Sequence, residues 1–554
     1  MKNPILAIAF VLLGLSVEAQ NRPNFVFVLT DDQPYGMMGC TGNDIVQTPH
    51  LDRLADEGML FTNAHITSAI CTPSRVSILL SQYERKHGVN FNSGTSVSDE
   101  AWAKSYPMVM REAGYYTGWV GKNHAPIGRG GYESGVMEQS FDYWYAGHGH
   151  LGFYPKDHHK IFEDAQSDTQ VEVVAEGVED FLDPNAKRLE GAVEFLEKRP
   201  KNQPFMLSIC FNLPHGAGTR SMKMKDSDDD IYKSLYRDMD IPLPEHYVAK
   251  ADITNPKLPA DLLRAEDRQS GYDYVDIPEE VLEMYIRQMQ AMTGIDRMMG
   301  ALRAKLRDLK LDKNTVIIFT SDHGLFMGEY GLGGKALCYE KTTKVPIIIF
   351  DPRVKGRNRG KELDHLAQSI DIAPTMLSMA GIEQPETFQG VDLSPVLRGD
   401  QVVVRDYLYT ENLWSTHFGN PRCEAVQTKE WKYIRYYANH NLPASRKVQT
   451  AKELDMNIND MLYAVHDTDV AQYRQYVEAP IKGEEPVYEE LYHIGQDPME
   501  TTNLISTKQY SSQLEMLKEA WTNEIKKARG EGNPSVYRYT ADSQLQSGQN
   551  IKTK

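Results

Sequence analysis

Short apolar runs recur along the chain, and several of them end abruptly in charged or imidazole side chains. Four runs show this most clearly: NFVFVLTDD ends at Asp31 and Asp32, YYTGWVGKNH at Lys122 and His124, PFMLSICFNLPHG at His215, and TVIIFTSDHG at Asp322 and His323. Uninterrupted apolar runs of this length are typical of strands that are buried on both faces of a parallel sheet.

Stretches with helical periodicity separate these runs. TPHLDRLADEG predicts a helix that begins at Pro49, turns Leu51 and Leu54 to one face and ends at Gly58. Alternating strands and helices indicate an α/β fold with a large, mostly parallel or mixed central sheet flanked by helices. Ligands of such folds gather at the carboxyl ends of the strands, so we expect the polar strand ends to converge there. A single strand end of this kind is more often just a polar residue that begins a loop.

The alternation of apolar runs and helical stretches ends near residue 400, within LRGDQVV. YLYTEN, EWKYIRYY and ELYHI are short, aromatic and alternating, which predicts a small antiparallel sheet. SSQLEMLKEAWTNEIKKARG predicts an amphipathic helix from Ser511 or Ser512 to Arg529. We therefore expect a main α/β domain over 21–400, a C-terminal subdomain over 401–540 and a loose tail over 541–554.

The first twenty residues, MKNPILAIAFVLLGLSVEAQ, have one lysine, an apolar run and small residues before a cleavage site, which predicts a secretory signal peptide over 1–20. The run is too short for a membrane span, and no later segment is long and apolar enough for one. We expect a soluble exported protein, periplasmic or secreted. The formal net charge of −17 argues against nucleic acid as a partner.

Five cysteines form neither a dense disulfide framework nor a CxxC metal motif. Cys210 lies inside an apolar run and is expected to be buried. Whether Cys40, Cys338 and Cys423 pair or stay free remains open at this stage. Cys71 differs because of its neighbours.

Cys71 begins the segment CTPSRVSILLS. If Thr72 caps a helix with Pro73 at its first position, Cys71 stands just before a helix N-terminus, where backbone N–H groups attract an anion. Arg75 then lies in the first turn, where the helix dipole disfavours a cation. This placement suggests that Arg75 holds an anion such as sulfate or phosphate. The alternative is an ordinary helix start with a solvent-facing arginine.

The segment Cys71 to Arg75 resembles the C-x-P-S-R signature of the formylglycine-dependent type I sulfatases, which belong to the alkaline-phosphatase-like superfamily. The resemblance extends through FVLTDDQPYGMMGC, TPHLDRLADEGMLFTNAH, GYYTGWVGKNH, TSDHG and ELYHIGQDPMETTNL, in the family's order and with comparable spacing. It therefore covers most of the chain.

The resemblance implies that a separate maturation enzyme oxidises Cys71 to formylglycine. One hydroxyl of the aldehyde hydrate would attack sulfur, and the other would collapse to the carbonyl and expel sulfate. The family's metal cluster, usually calcium with Mg²⁺ as an alternative, matches Asp31, Asp32, Asp322 and His323, with Cys71 beside the ion. Carboxylates suit such an ion, whereas imidazole is a poor calcium ligand, so His323 is an unusual member, and the alternative role for it is to donate to the sulfate or the aldehyde hydrate.

The remaining strand ends take catalytic roles from the same resemblance. Lys122 would offset charge on the sulfuryl group, and His124 would take the hydrate proton. His215 and Lys335 match the pair that contacts the sulfate and bridging oxygen, which makes His215 the expected general acid.

The loop over 128–160 is rich in glycine, aromatic residues and histidine, and such loops commonly carry specificity. We nominate Arg129, His148 and His150 as weaker substrate contacts. Packing of the loop's aromatic residues among themselves is an equally good explanation.

These features predict a sulfuric ester hydrolase that acts on sulfate monoesters of a carbohydrate, such as a sulfated algal polysaccharide, a host glycosaminoglycan or a mucin fragment. A phosphonate or phosphodiester hydrolase of the same superfamily is the first alternative. A glycan-binding relative without catalysis is the second. The sugar, exo or endo action and the oligomeric state remain open.

Overall fold

The structure is a computed structural model that describes residues 22–90, 95–147, 191–215, 234–259, 262, 272–354, 359–400, 403–413, 421–438 and 477–538. The predicted signal peptide over 1–20 and the predicted tail over 541–554 lie outside the described residues, and both stay predictions. Within the described ranges, no helix combines the length and apolar character that crossing a membrane requires.

Sixteen β-strands are assigned in the described ranges: β1 (Asn24–Asp31), β2 (Met59–His65), β3 (Thr95–Val97), β4 (Tyr116–Lys122), β5 (Tyr143–Gly147), β6 (Phe205–Pro214), β7 (Thr315–Ser321), β8 (Phe326–Met327), β9 (Gly333–Gly334), β10 (Ile347–Phe350), β11 (Lys361–Gln368), β12 (Leu408–Asn412), β13 (Arg422–Gln427), β14 (Lys432–Tyr437), β15 (Tyr488–Tyr492) and β16 (Val536–Arg538).

The α-helices assigned in the same ranges are α1 (Pro49–Glu57), α2 (Cys71–Leu80), α3 (Glu84–His87), α4 (Asp99–Ala103), α5 (Tyr106–Glu112), α6 (Val136–Ser140), α7 (Gly191–Lys198), α8 (Pro278–Asp308), α9 (Glu340–Thr343), α10 (Ile372–Met379), α11 (Ser394–Arg398) and α12 (Ser511–Arg529).

Eight of these strands form the central sheet, in the order β11-β2-β10-β7-β1-β6-β4-β5. The pairings are parallel except at β10, which runs antiparallel to both β2 and β7. Every residue of β1, β6 and β7 is buried, as expected of strands covered by helices on both faces. The prediction of a mostly parallel, mixed central sheet is confirmed.

Helices cover both faces of the sheet. α1 buries Leu51, Leu54 and Ala55, as its periodicity predicts, and α8 packs near it against β6. α8 spans 31 residues and begins with Pro278 and two glutamates, residues that favour a helix N-terminus. The apolar clusters on the two faces hold the strands of the sheet in place.

The smaller antiparallel sheet has the order β12-β13-β14-β15. Three of its strands were predicted, and α12 begins at Ser511 and ends at Arg529 as expected. α12 packs on this sheet through Leu517, Trp521 and Ile525. β16 returns to the N-terminal part of the chain, where it pairs antiparallel with β3. The boundary near residue 400 falls between α11 and β12 and stays a prediction.

Candidate active site

Four neighbouring strands bring their polar ends to one edge of the central sheet. β7, β1, β6 and β4 are adjacent and parallel, so their carboxyl ends lie side by side. The residues at these ends are Asp31 as the last residue of β1 and Asp32 after it, Lys122 as the last residue of β4, His215 after β6, and Asp322 and His323 after β7. Each of them is buried.

Cys71 is the first residue of α2, and Ile70 in extended conformation is the N-cap. The expectation that Thr72 caps the helix and Pro73 opens it is therefore wrong: Pro73 is the third helical residue. Proline is tolerated there because the first N–H groups of a helix have no intrahelical partner. The hydroxyl of Ser74 donates to the carbonyl of Asp322 at 2.6 Å, which fixes the start of α2 against the end of β7.

The Cys71 side chain faces residues from three other segments. Its Sγ lies 3.5 Å from Asp31 Oδ1, 3.2 Å from His323 Nε2 and 3.2 Å from Lys335 Nζ. Asp32 Oδ1 is slightly farther, at 3.9 Å. Burial raises the pKa of the Cys71 thiol, although Lys122 and Lys335 oppose that effect. An unmodified Cys71 is therefore a neutral thiol and a weak nucleophile at neutral pH.

Arg75 points inward and not to solvent. Its Nε donates to Asp322 Oδ2 at 2.9 Å, and its Nη2 lies 3.5 Å from Asp31 Oδ1. Burial works to lower the pKa of Arg75, but the two carboxylates outweigh it and hold that pKa above its ordinary value. Lys122 forms an ion pair with Asp31. The alternative of a solvent-facing arginine is thus excluded.

Lys335 and His215 meet at Asp32. Lys335 Nζ lies 2.8 Å from Asp32 Oδ1, and His215 Nε2 lies 3.7 Å from Asp32 Oδ2. Burial works to raise the pKa of Asp32, but Lys335, His215 and His323 together hold it below its usual range. Burial lowers the pKa of His215 to about 3, against the attraction of Asp32. The His215 ring is therefore neutral at neutral pH, and an anion bound beside it would raise this pKa.

His323 is held in a defined tautomer. Its Nδ1 lies 3.0 Å from the carbonyl oxygen of Gly324, which can only accept, so Nδ1 carries the proton. In the neutral ring, Nε2 then keeps its lone pair, 3.1 Å from Asp32 Oδ1. A second interaction that fixes the ring of a metal-binding histidine in this way is common.

The donor set fits a divalent cation. One oxygen, nitrogen or sulfur atom from each of Asp31, Cys71, Asp322 and His323 lies within 4.8 Å of the others, and Asp32, Cys71 and His215 form a second such group. Burial and the neighbouring Asp31 raise the pKa of Asp322, which shows the cost of gathering carboxylates in a dry site. Three carboxylates supply the hard oxygen donors that Ca²⁺ and Mg²⁺ prefer.

Four further predicted residues, the catalytic His124 and the substrate contacts Arg129, His148 and His150, are not among the groups that surround Cys71 Sγ. His124 is buried two residues beyond β4 and stacks on Tyr132, with ring centroids 6.1 Å apart. Arg129 is exposed, and its guanidinium lies 4.8 Å from the ring centroid of Tyr537. His148 and His150 lie outside the described residues. The roles of all four stay predictions.

Sequence reasoning missed two tyrosines at the site. The hydroxyl of Tyr272 lies 3.4 Å from Asp32 Oδ2, and Tyr132 is buried against the ring of His124. Tyr272 lies in GYDYVDIPEE, which follows no buried strand and carries no motif. Asp32 and His124 also adopt φ values of 60° and 46°, in the left-handed region that few non-glycine residues occupy. Such strained positions cluster at functional sites.

The fold and this cluster are those of an α/β enzyme with its candidate active site at the carboxyl ends of the strands, and the sequence comparisons are more specific. The family model described as Sulfatase matches residues 23–382, and the model described as N-sulphoglucosamine sulphohydrolase, C-terminal, matches residues 328–469. The chain belongs to the sulfatase family, whose enzymes are sulfuric ester hydrolases.

Three known proteins illustrate the similarity. N-acetylglucosamine-6-O-sulfatase of Bacteroides thetaiotaomicron is 28% identical over 474 residues, which cover 76% of this chain and 79% of that protein. A solved structure described as a complex with its substrate D-glucosamine-2-N,6-O-disulfate superposes with a TM-score of 0.66 at 20% identity, covering 93% of this chain and 99% of the other. Phosphonate monoester hydrolase of Agrobacterium radiobacter superposes with a TM-score of 0.60 at 17% identity, covering 91% and 96%.

Proposed function

We propose that this protein is an exported carbohydrate sulfatase that hydrolyses sulfate monoesters. Residue 71 is its nucleophile, once Cys71 has been converted to formylglycine. The observation that carries the proposal is the convergence of Asp31, His323 and Lys335 on Cys71 Sγ within 3.5 Å. Nothing in ordinary folding requires a buried thiol to be surrounded by charged groups, which are costly to bury.

In this proposal the chain's own residues bind and orient the sulfate group. Lys335, beside both Cys71 and Asp32, contacts the sulfate oxygens, and Lys122 offsets their negative charge from the β4 side. Arg75 holds residue 71 and the carboxylates in register. His215 faces the departing alcohol oxygen as general acid, and His124 moves the proton of residue 71.

Two groups complete the proposed site. A formylglycine hydrate supplies an oxygen nucleophile, and a divalent cation supplies positive charge beside the sulfate. Asp31, Asp32, Asp322 and His323 would hold the cation, for which calcium is the first candidate and Mg²⁺ the second. The segment Cys71 to Arg75 requires a partner protein, a maturation enzyme that oxidises Cys71.

We propose a sulfated sugar as the substrate, with sulfated glucosamine as the first to test. The name of the Bacteroides thetaiotaomicron relative and the disulfated glucosamine bound in the structural neighbour support this choice. Export is proposed from the apolar segment over 1–20.

Phosphonate or phosphodiester hydrolysis is the competing function, since a phosphonate monoester hydrolase shares this fold. Sulfate and phosphonate monoesters are alike in shape, so the fold does not separate them. The test is a panel of regiodefined sulfated mono- and disaccharides together with an aryl sulfate, an aryl phosphonate monoester and a phosphodiester. We expect kcat/KM for the best sulfate ester to exceed that for the phosphorus esters by at least about tenfold, ~1.4 kcal/mol.

The nucleophile is tested on the same enzyme, produced together with a maturation enzyme. Peptide mass spectrometry is expected to find formylglycine at position 71, and Cys71→Ala is expected to reduce sulfate release by at least about 10⁴-fold. Cys40→Ala is the matched control, because Cys40 lies outside the cluster and its loss should leave turnover unchanged. Full activity with an unmodified thiol at residue 71 would refute the mechanism.

A further inference from the structure

Cys338 and Cys423 lie in direct contact inside the protein, far from each other in sequence. Their Sγ atoms are 3.5 Å apart, and the residues are separated by 85 positions. Both side chains are fully enclosed in an apolar cluster that includes Phe326, Tyr339 and Tyr436. The two sulfurs are therefore already at van der Waals distance, whereas a disulfide bond is about 2.05 Å long.

The backbone on both sides of this contact is firmly held. Cys423 lies in β13 and is paired with Asn412 of β12 and Tyr436 of β14. On the other side, the hydroxyl of Tyr339, next to Cys338, donates to Glu490 at 2.8 Å, and Ala336 N donates to the carbonyl of Ala69 at 3.0 Å. The two sulfurs must approach by about 1.5 Å to reach the length of a disulfide bond.

We propose that Cys338 and Cys423 form a disulfide bond that fastens the loop carrying Lys335 to the C-terminal sheet. The bond joins the two thiols with loss of one hydrogen from each, and the two electrons and two protons pass to a disulfide oxidant, which becomes two thiols. A thiolate of one cysteine attacks the oxidant, and the second cysteine then displaces it from the mixed disulfide.

The position of the bond gives it a function. Cys338 is three residues after Lys335, whose ammonium contacts both Asp32 and Cys71. Without a covalent link, this loop is tied to β13 through packing and hydrogen bonds. A disulfide would restrain the loop and shorten the unfolded chain by closing a large loop, which stabilises the folded state.

The order of events follows from the burial. Burial and the neighbouring sulfur raise the pKa of Cys338, so the folded, reduced protein holds few thiolates there. The bond must form before the apolar cluster closes around it, while the chain is folding. An oxidant added to the finished reduced protein is a poor test for this reason.

The experiment therefore makes the full chain under oxidising conditions from the start, by cell-free synthesis in a buffer rich in oxidised glutathione. The protein is denatured with an alkylating agent, digested without reductant and mapped by mass spectrometry. We expect a linked peptide pair containing Cys338 and Cys423, with Cys40 and Cys210 alkylated as internal controls. Alkylation of Cys338 and Cys423 to the same extent as Cys40 and Cys210 would overturn the proposal.

A second measurement uses the thermal unfolding midpoint. Protein synthesised under oxidising conditions is expected to unfold at a midpoint roughly 3–5 °C above that of protein synthesised with a reductant, and its amides around Lys335 should exchange hydrogen more slowly. The double variant Cys338→Ser, Cys423→Ser is expected to show the same midpoint with and without reductant, whereas Cys40→Ser should respond as the unaltered protein does. The same midpoint for the unaltered protein in both preparations would count against the bond. These readouts do not depend on turnover, so a failure of the proposed function leaves them interpretable.

Discussion

Asp322 shows how one carboxylate at the site is held from several sides. Its Oδ2 accepts from Arg75 Nε at 2.9 Å, its Oδ1 accepts from the backbone N–H of Asp32 at 3.1 Å, and its carbonyl accepts from Ser74. These contacts fix the carboxylate between β1, β7 and α2. It is therefore oriented before any ion binds.

Asp322→Asn replaces a charged ligand by a neutral one of the same shape. Loss of a residue that only hydrogen-bonds to a metal ligand typically weakens metal binding by about 10–100-fold. Because Asp322 is itself a proposed ligand, we expect the variant to weaken Ca²⁺ binding by more than this. Sulfate release should fall in parallel. Isothermal titration with Ca²⁺ measures the affinity directly. Asp364→Asn is the control, since Asp364 pairs with Lys429 on the surface. A titration identical to that of the unaltered protein would remove Asp322 from the metal site.

At the scale of elements, α3 is a single turn of helix whose charged side chains are unexpectedly buried. Its sequence, ERKH, would suit a solvated turn, yet Glu84 and Arg85 are fully enclosed. Arg85 pairs with Glu411 on β12 and with Glu424 on β13. The charge of Arg85 can be buried because both glutamates pair with it. These partners are more than 300 positions away in the sequence, so no local pattern predicts the burial.

Glu84 in this helix gives the protein a predicted pH dependence of stability. Burial and the nearby Glu411 raise the pKa of Glu84 to about 8. The unfolded chain loses this proton near pH 4.3, whereas the folded chain keeps it to about pH 8. The folded state therefore binds one proton more over that window, and the free energy of unfolding falls by about 1.4 kcal/mol per pH unit as pH rises.

Glu84→Gln should remove this contribution to the slope. Denaturant unfolding at pH 5.5, 6.5 and 7.5 measures it, and the variant is expected to gain stability relative to the unaltered protein at each step. Glu57→Gln, at a site where the side chain is 42% exposed, is the control and should leave the slope unchanged. Parallel slopes for Glu84→Gln and the unaltered protein would mean that Glu84 is ionised in the fold.

The elements also show what the sequence alone could predict. The buried strands and their polar ends were predictable, because an apolar run that stops at a charge is a local signal. β13 was not, since RCEAVQ carries two charges whose partners are distant in sequence: Glu424 contacts Arg85 and Trp521, and Arg422 pairs with Glu484. The start of α2 was misplaced by the proline, which occupies the third helical position and not the first. Tyr272 contacts Asp32 because distant parts of the chain come together in the fold, and the local sequence around Tyr272 does not predict this contact.

At the scale of the whole molecule, the C-terminal sheet is joined to the region that carries the site. Glu411 N donates to the carbonyl of Thr67 at 2.9 Å, four residues before Cys71, and β16 pairs with β3. Lys432 forms buried ion pairs with Glu340 and Glu500, close to the Lys335 loop. The C-terminal part is therefore a structural support of the active region.

We expect a chain that ends at residue 400 to fail to fold, because Arg85 would lose Glu411 and Glu424 as ion-pair partners and the apolar surface under the smaller antiparallel sheet would be exposed. Recovery of soluble protein and its resistance to limited proteolysis measure this. A chain that ends at residue 540 is the control and should behave as the full chain does. A protease-resistant fragment over 21–400 with a cooperative unfolding transition would contradict the expectation.

The burial of the segment Cys71 to Arg75 restricts when residue 71 can be converted to formylglycine. Every residue from Cys71 to Arg75 is enclosed in the folded protein, at the first turn of α2. Under the proposed function, a maturation enzyme must therefore reach this peptide while it is still extended. Folding and conversion then compete for the newly made chain, and the active fraction of a preparation reflects the ratio of two rates. Slower folding, by cooler growth or by a destabilising substitution, should yield fewer molecules but a higher proportion of converted ones.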